Sequence, residues 1–143
     1  MPNITLPDGS VRKFDASVTG LQLANDIGPG LAKAALMVLV DGVECDLDHE
    51  IKQDSNVSLI TRSDDLALKL IRHDCAHVMA AAVQELFPET QVTIGPSIEN
   101  GFYYDFFRKE RFSQDDLETI EKRMHELIDR DDKVKREVWN RER

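Results

Sequence analysis

His73 and His77, four residues apart in the run Arg72-His73-Asp74-Cys75-Ala76-His77, are the side chains of this 143-residue chain best placed to do chemistry. Imidazole titrates near neutral pH, so it can give or take a proton under ordinary conditions. On a helix, positions i and i+4 share a face. Four readings fit the pair: ordinary surface or half-buried histidines, a structural hydrogen-bonded pair, two ligands of a zinc ion, or groups that position a substrate and move protons. Against zinc, Asp74 stands where a metalloprotease H-E-x-x-H carries glutamate, Cys75 falls on the other face, and no third ligand is obvious in the sequence. The aromatic run 102–107, which contains Tyr103 and Tyr104, reads on composition as a core strand. His49 stands among Asp46, Asp48 and Glu50 and reads as an exposed loop histidine; His125, beside Arg123 and Glu126, reads as exposed too. Gly28-Pro29-Gly30 lacks the Lys-Ser/Thr of a phosphate loop.

The elements that must hold these groups follow from periodicity. A helix from about Asp65 to Phe87, stopped by Pro88, places Ile71, Cys75, Val78, Met79, Ala82 and Leu86 on one apolar stripe. His73 and His77 fall nearly opposite, near Leu66, Leu70, Ala80 and Ala81, which suggests the wall of a pocket. Beyond it come an expected strand at 90–94, a loop at 95–101 and a strand at 102–107, with Tyr103 and Tyr104 on opposite faces. Ser113 caps a last helix whose expected buried stripe is Leu117, Ile120, Met124, Leu127 and Ile128. A further strand is expected to start at Val134–Val138.

The first sixty residues read differently. Ile4 and Leu6, a turn at Asp8-Gly9 and a return at Val11–Phe14 form a hairpin. Thr19 caps a short helix that Gly28-Pro29-Gly30 ends, with a short helical stretch at 31–35 after it. Leu36–Val40 is an expected central strand, Asp41-Gly42 a second turn, and Val43–Cys45 and Val57–Ile60 further strands. A hairpin, a helix and more strands is the order of a β-grasp fold. The polar stretch 61–65 marks a boundary, giving domains at 1–62 and 63–143 and an α+β class overall.

Composition narrows the function. Apolar residues make up 41%, enough for packed cores. No apolar run reaches the roughly 20 residues of a membrane span, and MPNITLPDGS has neither the basic flank nor the apolar centre of a secretory signal, so the expected location is the cytoplasm. Cys45 and Cys75 are too few for a disulfide framework and read as small buried residues. The net charge of −9 counts against a free-standing nucleic-acid binder; only the tail, with Lys133, Lys135, Arg136, Arg141 and Arg143, turns basic.

Longer motifs add a resemblance. ITLPDGS at 4–10 and DIGPGLAKAA at 26–35 resemble the TGS domain, and the second run takes the form seen in threonyl-tRNA synthetases. RHDCAH at 72–77 and IGPSIENGFYYD at 94–105 resemble the editing domain of the same family, which usually has Ser where this chain has Asp74. The likeness covers essentially all 143 residues. It implies an N-terminal segment: a β-grasp TGS domain followed by the first part of an α+β editing domain. In such a parent, threonine is attached to tRNA(Thr) with ATP, and mischarged seryl-tRNA(Thr) is hydrolysed in a pocket that His73, His77 and Tyr104 line. The family's further Cys and His of that pocket, its ATP, Mg and zinc sites and its dimer interface are expected outside these residues. Taken alone, the segment is expected to be a monomer without cofactors, unable to aminoacylate and at most feeble in deacylation. The alternative is a self-contained TGS-type module that binds a ligand, RNA or protein without catalysis.

Overall fold

The computed structural model describes residues 1–133 and 137–140. It divides the chain into two compact units, Met1–Leu70 and Ile71–Arg143.

The first unit opens with β1 (Asn3–Thr5) and β2 (Val11–Lys13), paired antiparallel. Their turn is wider than two residues: Leu6 donates to the Ser10 carbonyl and Gly9 back to Leu6. Gly9 has φ +82°, a left-handed conformation that costs glycine little. The pair β3 (Val18–Thr19) leads into helix α1 (Gly20–Ile27). Thr19 and Gln22 form a reciprocal cap: the Thr19 hydroxyl accepts from the Gln22 amide at 3.2 Å, and the Gln22 side chain accepts from the Thr19 amide at 2.9 Å. Gly28 ends α1, and α2 (Pro29–Ala34) starts at once with proline at its first position. Then follow β4 (Ala35–Val40), β5 (Val43–Cys45), β6 (Glu50–Ile51) and β7 (Ser55–Thr61). The main sheet has the order β2-β1-β7-β4-β5, while β3 and β6 pair separately. The first strand runs parallel to the last, β7, and β4 lies inside the sheet between β7 and β5, as expected of a central strand. This is the β-grasp expected from the sequence. Its core joins Ile4, Val18, Leu23, Val38, Ile51 and Val57. Burial of each such side chain is worth roughly 1.5–3 kcal/mol.

Helix α3 (Asp65–Leu86) begins inside the first unit. The unit extends past the expected 62/63 boundary because Ala67 is fully buried with Met37 and Ile60, and Leu66 and Leu70 pack on the same cluster. The break between units falls inside a helix, where no turn chemistry marks it.

In the second unit α3 is followed by β8 (Gln91–Val92), β9 (Ser97–Ile98), β10 (Gly101–Phe102), β11 (Phe106–Phe107) and α4 (Gln114–Arg130). Ser113 caps α4 in a second reciprocal box with Asp116. The buried residues of α3 here are Ala76, Ala80, Ala82 and Val83. Ala82 and Val83 meet Ile120, with Met79, Leu86, Phe87, Phe106, Phe112, Met124 and Leu127 packed around them. Three residues expected in buried stripes are exposed: Ile71 at 46%, Leu117 at 52% and Ile128 at 54%. Leu117 and Ile128 lie on the margin of their stripe, and Ile71 precedes the buried part of its helix in this unit, which begins at Ala76. His49 and the two cysteines are half-buried, where exposure and full burial were expected. Of the strand expected at Val134–Val138, residues 134–136 lie outside the described residues, and Val138 is exposed coil.

Two predictions follow from these caps and pairs. Thr19→Ala removes an acceptor that the helix cannot replace, so the first unit should lose about 1 kcal/mol in urea unfolding; an unchanged midpoint would contradict the cap. Glu85 receives Arg130 (2.9 Å) and Arg123 (3.1 Å), and these bonds, Arg130 first, hold its carboxyl below the ordinary value of 4.5. A depressed carboxyl lends stability that is complete above its unfolded value and disappears as pH falls through the folded one. Acidification below pH 4.5 should therefore loosen the α3–α4 pair, and Glu85→Gln should flatten that part of a stability-against-pH curve.

Candidate functional site

His73 and His77 meet as helical spacing requires. Their Nε2 atoms are 3.0 Å apart, and their rings sit edge to face with centroids separated by 4.5 Å. A bond between two imidazole nitrogens needs a hydrogen on one and a lone pair on the other. One ring therefore donates and the other accepts, the roles following from the tautomers. Both rings are exposed. They stand at the margin of the buried face, not opposite it, because Ala76 and Ala80 are buried one turn further along. Among the described residues no group of three or more His, Cys, Asp or Glu side chains is arranged to hold a metal ion.

Tyr104 is held by a feature that sequence periodicity did not disclose. The 102–107 stretch, expected as one strand, is interrupted, and the 95–101 loop is itself partly paired. Phe107 faces Gln91 and Phe106 faces Val92, whereas Phe102 faces Ser97 and Gly101 faces Ile98. In the register of the first two pairs Phe102 would face Pro96. Residues 91–98 thus carry one more residue than 101–107, and the ladder contains a bulge. Asp105 bridges it, donating to the Ile94 carbonyl at 2.8 Å and accepting from the Thr93 amide at 3.2 Å. The Thr93 hydroxyl adds a bond to the Asp105 carbonyl at 2.6 Å. The two residues facing Asp105 are Thr93 and Ile94, and Gly95-Pro96 follows them: proline has no donor for a ladder, and the glycine leaves room for a ring. A Cβ placed on Gly95 would collide with the Tyr104 ring at three atoms.

The ring also stacks on Phe106, two residues along the same face, with centroids 4.9 Å apart and planes 16° from parallel. Phe106 contacts Phe112 at 6.1 Å, and Phe112 contacts Phe87 at 5.6 Å, both edge to face. The Arg108 guanidinium lies 4.1 Å above Phe87 and 5.3 Å from Phe112. Tyr103 points the other way and is 46% exposed, as strand alternation requires. The ring partner of each histidine is the other, and that of Tyr104 is Phe106.

The sequence reading assigned no role to Arg72. Its Nη1 donates to the Ile98 and Glu99 carbonyls at the tip of the β9–β10 hairpin. Its place immediately before His73, inside the same motif, was the available signal. A cavity of about 420 Å³ lies elsewhere in the second unit, lined by Glu89, Gln91, Phe107, Arg108, Lys109 and Glu110.

The bulge makes Gly95→Ala a sharp test of the Tyr104 setting. The added methyl must displace the ring, at a cost of roughly 1–3 kcal/mol for overpacking. Shifted ring resonances of Tyr104 and Phe106, with a lowered unfolding midpoint, are expected; native shifts at full stability would contradict the contact.

Comparison with known proteins adds the relatives. Residues 2–61 match the family model described as TGS domain. The chain is 63% identical to a threonine--tRNA ligase of Rhodospirillum rubrum over 142 residues, covering 99% of this chain and 22% of the relative. It is 62% identical to the threonine--tRNA ligase of Granulibacter bethesdensis and 57% identical to that of Thiobacillus denitrificans, each with the same coverage. The chain thus spans 22% of the length of the curated relatives it matches. A TGS domain at residues 2–61 and this likeness along 99% of its length identify the chain as an N-terminal segment of the threonine--tRNA ligase family.

Proposed function

We propose that the parent protein attaches threonine to tRNA(Thr) using ATP, and that the region from helix α3 onward contributes to hydrolysis of seryl-tRNA(Thr) made in error. The relatives' name supports the first part. The observation that carries the second is the 3.0 Å contact between His73 and His77 on the exposed side of helix α3.

The chemistry explains why such a region is useful. Serine is threonine without one methyl group, and a pocket built for the larger side chain admits the smaller. One methyl is worth only about 1–3 kcal/mol of discrimination. A second, tighter site can hydrolyse the serine ester and exclude threonine by size. Ester hydrolysis needs a placed water, a route for its proton and donors for the developing oxyanion. The mutual bond occupies both Nε2 atoms and leaves each ring its Nδ1, one a donor and the other an acceptor, for water and ester. Tyr104 supplies a phenol whose ring cannot drift, because Gly95 and Phe106 fix it from two sides. In this reading His73, His77 and Tyr104 position water and ester, and the parent brings the remaining Cys and His of the pocket.

These residues are assigned no cofactor; ATP, Mg and zinc belong to the rest of the parent, as does the homodimer interface. Among the described residues no helix is long and apolar enough to cross a membrane. A cytoplasmic location fits the substrates of translation.

The test is deacylation by the full-length parent. His73→Ala and His77→Ala should each slow clearance of seryl-tRNA(Thr) by roughly 10²–10⁴-fold, the range for a lost acid–base group, while threonylation continues. Undiminished clearance in both variants would refute the assignment.

A further inference from the structure

We propose that Arg72 is a positioning residue for the hydrolytic site: it ties the tip of the β9–β10 hairpin to the histidine helix and so fixes where Tyr104 stands relative to His73 and His77. The inference rests on the hydrolytic reading above.

Four observations in the second unit carry it. Nη1 of Arg72 donates to two successive carbonyls, those of Ile98 and Glu99. These sit where the chain reverses between Ile98 and its partner Gly101. Hairpin-tip carbonyls ordinarily turn to water, so two of them gathered on one guanidinium nitrogen form a specific tether, strengthened by the charge on the donor. Second, Arg72 directly precedes His73 on α3, so any displacement at the tether is measured from the histidine pair itself.

Third, the hairpin has little else to hold its tip. β9 and β10 are two residues each, and Ile98, Glu99 and Asn100 are exposed. An isolated two-stranded ribbon is marginal in water. Fourth, the other end of the ladder is anchored independently. Phe106 belongs to the cluster of Ala82, Val83 and Ile120. Tyr104 lies between these two anchors, at the bulge, where the ladder bends most easily. With one anchor the bulge acts as a hinge; with two it is a fixed corner. Arginine suits the task because its fork is planar and permanently charged.

The experiment uses the full-length parent with Arg72→Ala and Arg72→Lys, measuring kcat and KM for seryl-tRNA(Thr) hydrolysis, threonylation, and amide hydrogen exchange over residues 97–104. Arg72→Ala should lower kcat for hydrolysis roughly 10–100-fold with little change in KM, as expected for a displacement of about 1 Å at a reacting centre. Exchange over 97–104 should rise, threonylation should persist, and Arg72→Lys should recover part of kcat, since an ammonium can also donate to a carbonyl. Unchanged kcat and exchange in Arg72→Ala would overturn the proposal. So would equal losses of hydrolysis and threonylation, which mark general unfolding. If His73→Ala and His77→Ala hydrolyse normally, the hydrolytic reading fails by itself, and exchange over 97–104 still decides whether Arg72 holds the hairpin.

Discussion

The stacking of Tyr104 on Phe106 is the contact on which the second unit turns. Each strand there is two residues long, too short for a ladder to hold itself. Order comes from aromatic packing instead. Tyr104, Phe106, Phe112 and Phe87 follow one another by ring contact, and Arg108 closes the row over Phe87. Such contacts are each worth roughly 0.5–1.5 kcal/mol beyond area burial. The row carries the hairpin onto the α3–α4 core, where Ala82, Val83 and Ile120 are closed off from water. The bulge at Thr93-Ile94, just before Gly95, is the geometric condition for it. Without the extra residue Tyr104 would meet a different partner across the ladder, and without glycine its ring would have no place to lie.

Helix α3 serves both units with different parts of its surface. Its first turns bury Leu66, Ala67 and Leu70 against the β-grasp sheet, while Met79, Ala82, Val83 and Leu86 pack with α4. His73 and His77 occupy the stretch after the first of these contacts. A helix anchored by packing on each side of that stretch holds the imidazoles in register with little help from their own side-chain contacts. Ala76 and Ala80, one turn along, are buried, so the exposed histidines border a packed face.

The first unit was legible because its signals are local. Thr19 with Gln22, Gly28-Pro29, Asp41-Gly42 and the DGS turn each specify a backbone event within a few residues. The second unit was legible in its helices and less so in its ladder. Periodicity gives the direction of a buried face, not its width; Ile71, Leu117 and Ile128 point within the apolar half of their helices, yet no facing side chain reaches them. The bulge at Thr93-Ile94 carries no turn residue of its own, and the Gly95-Pro96 that follows it signals a loop. The histidine pairing followed from spacing alone. The link from Arg72 to Ile98 and Glu99 did not, because a side chain to backbone contact across 26 and 27 residues leaves no periodic trace.

Selecting against a single methyl sets a demanding tolerance for any hydrolytic site built on this scaffold. An energy gap of about 1–3 kcal/mol is available from size, and a displacement near 1 Å is enough to lose a comparable amount of rate. Exposed two-residue strands cannot supply that precision, and neither can a long flexible loop. A ring stacked on Phe106 and set against Gly95 can, because its freedom is limited by packing and not by a hydrogen-bond ladder that breathes. On the proposed reading, the cost of a bulge and of a glycine in a strand, both destabilising on their own, is the condition for placing one phenol within the tolerance that the chemistry sets.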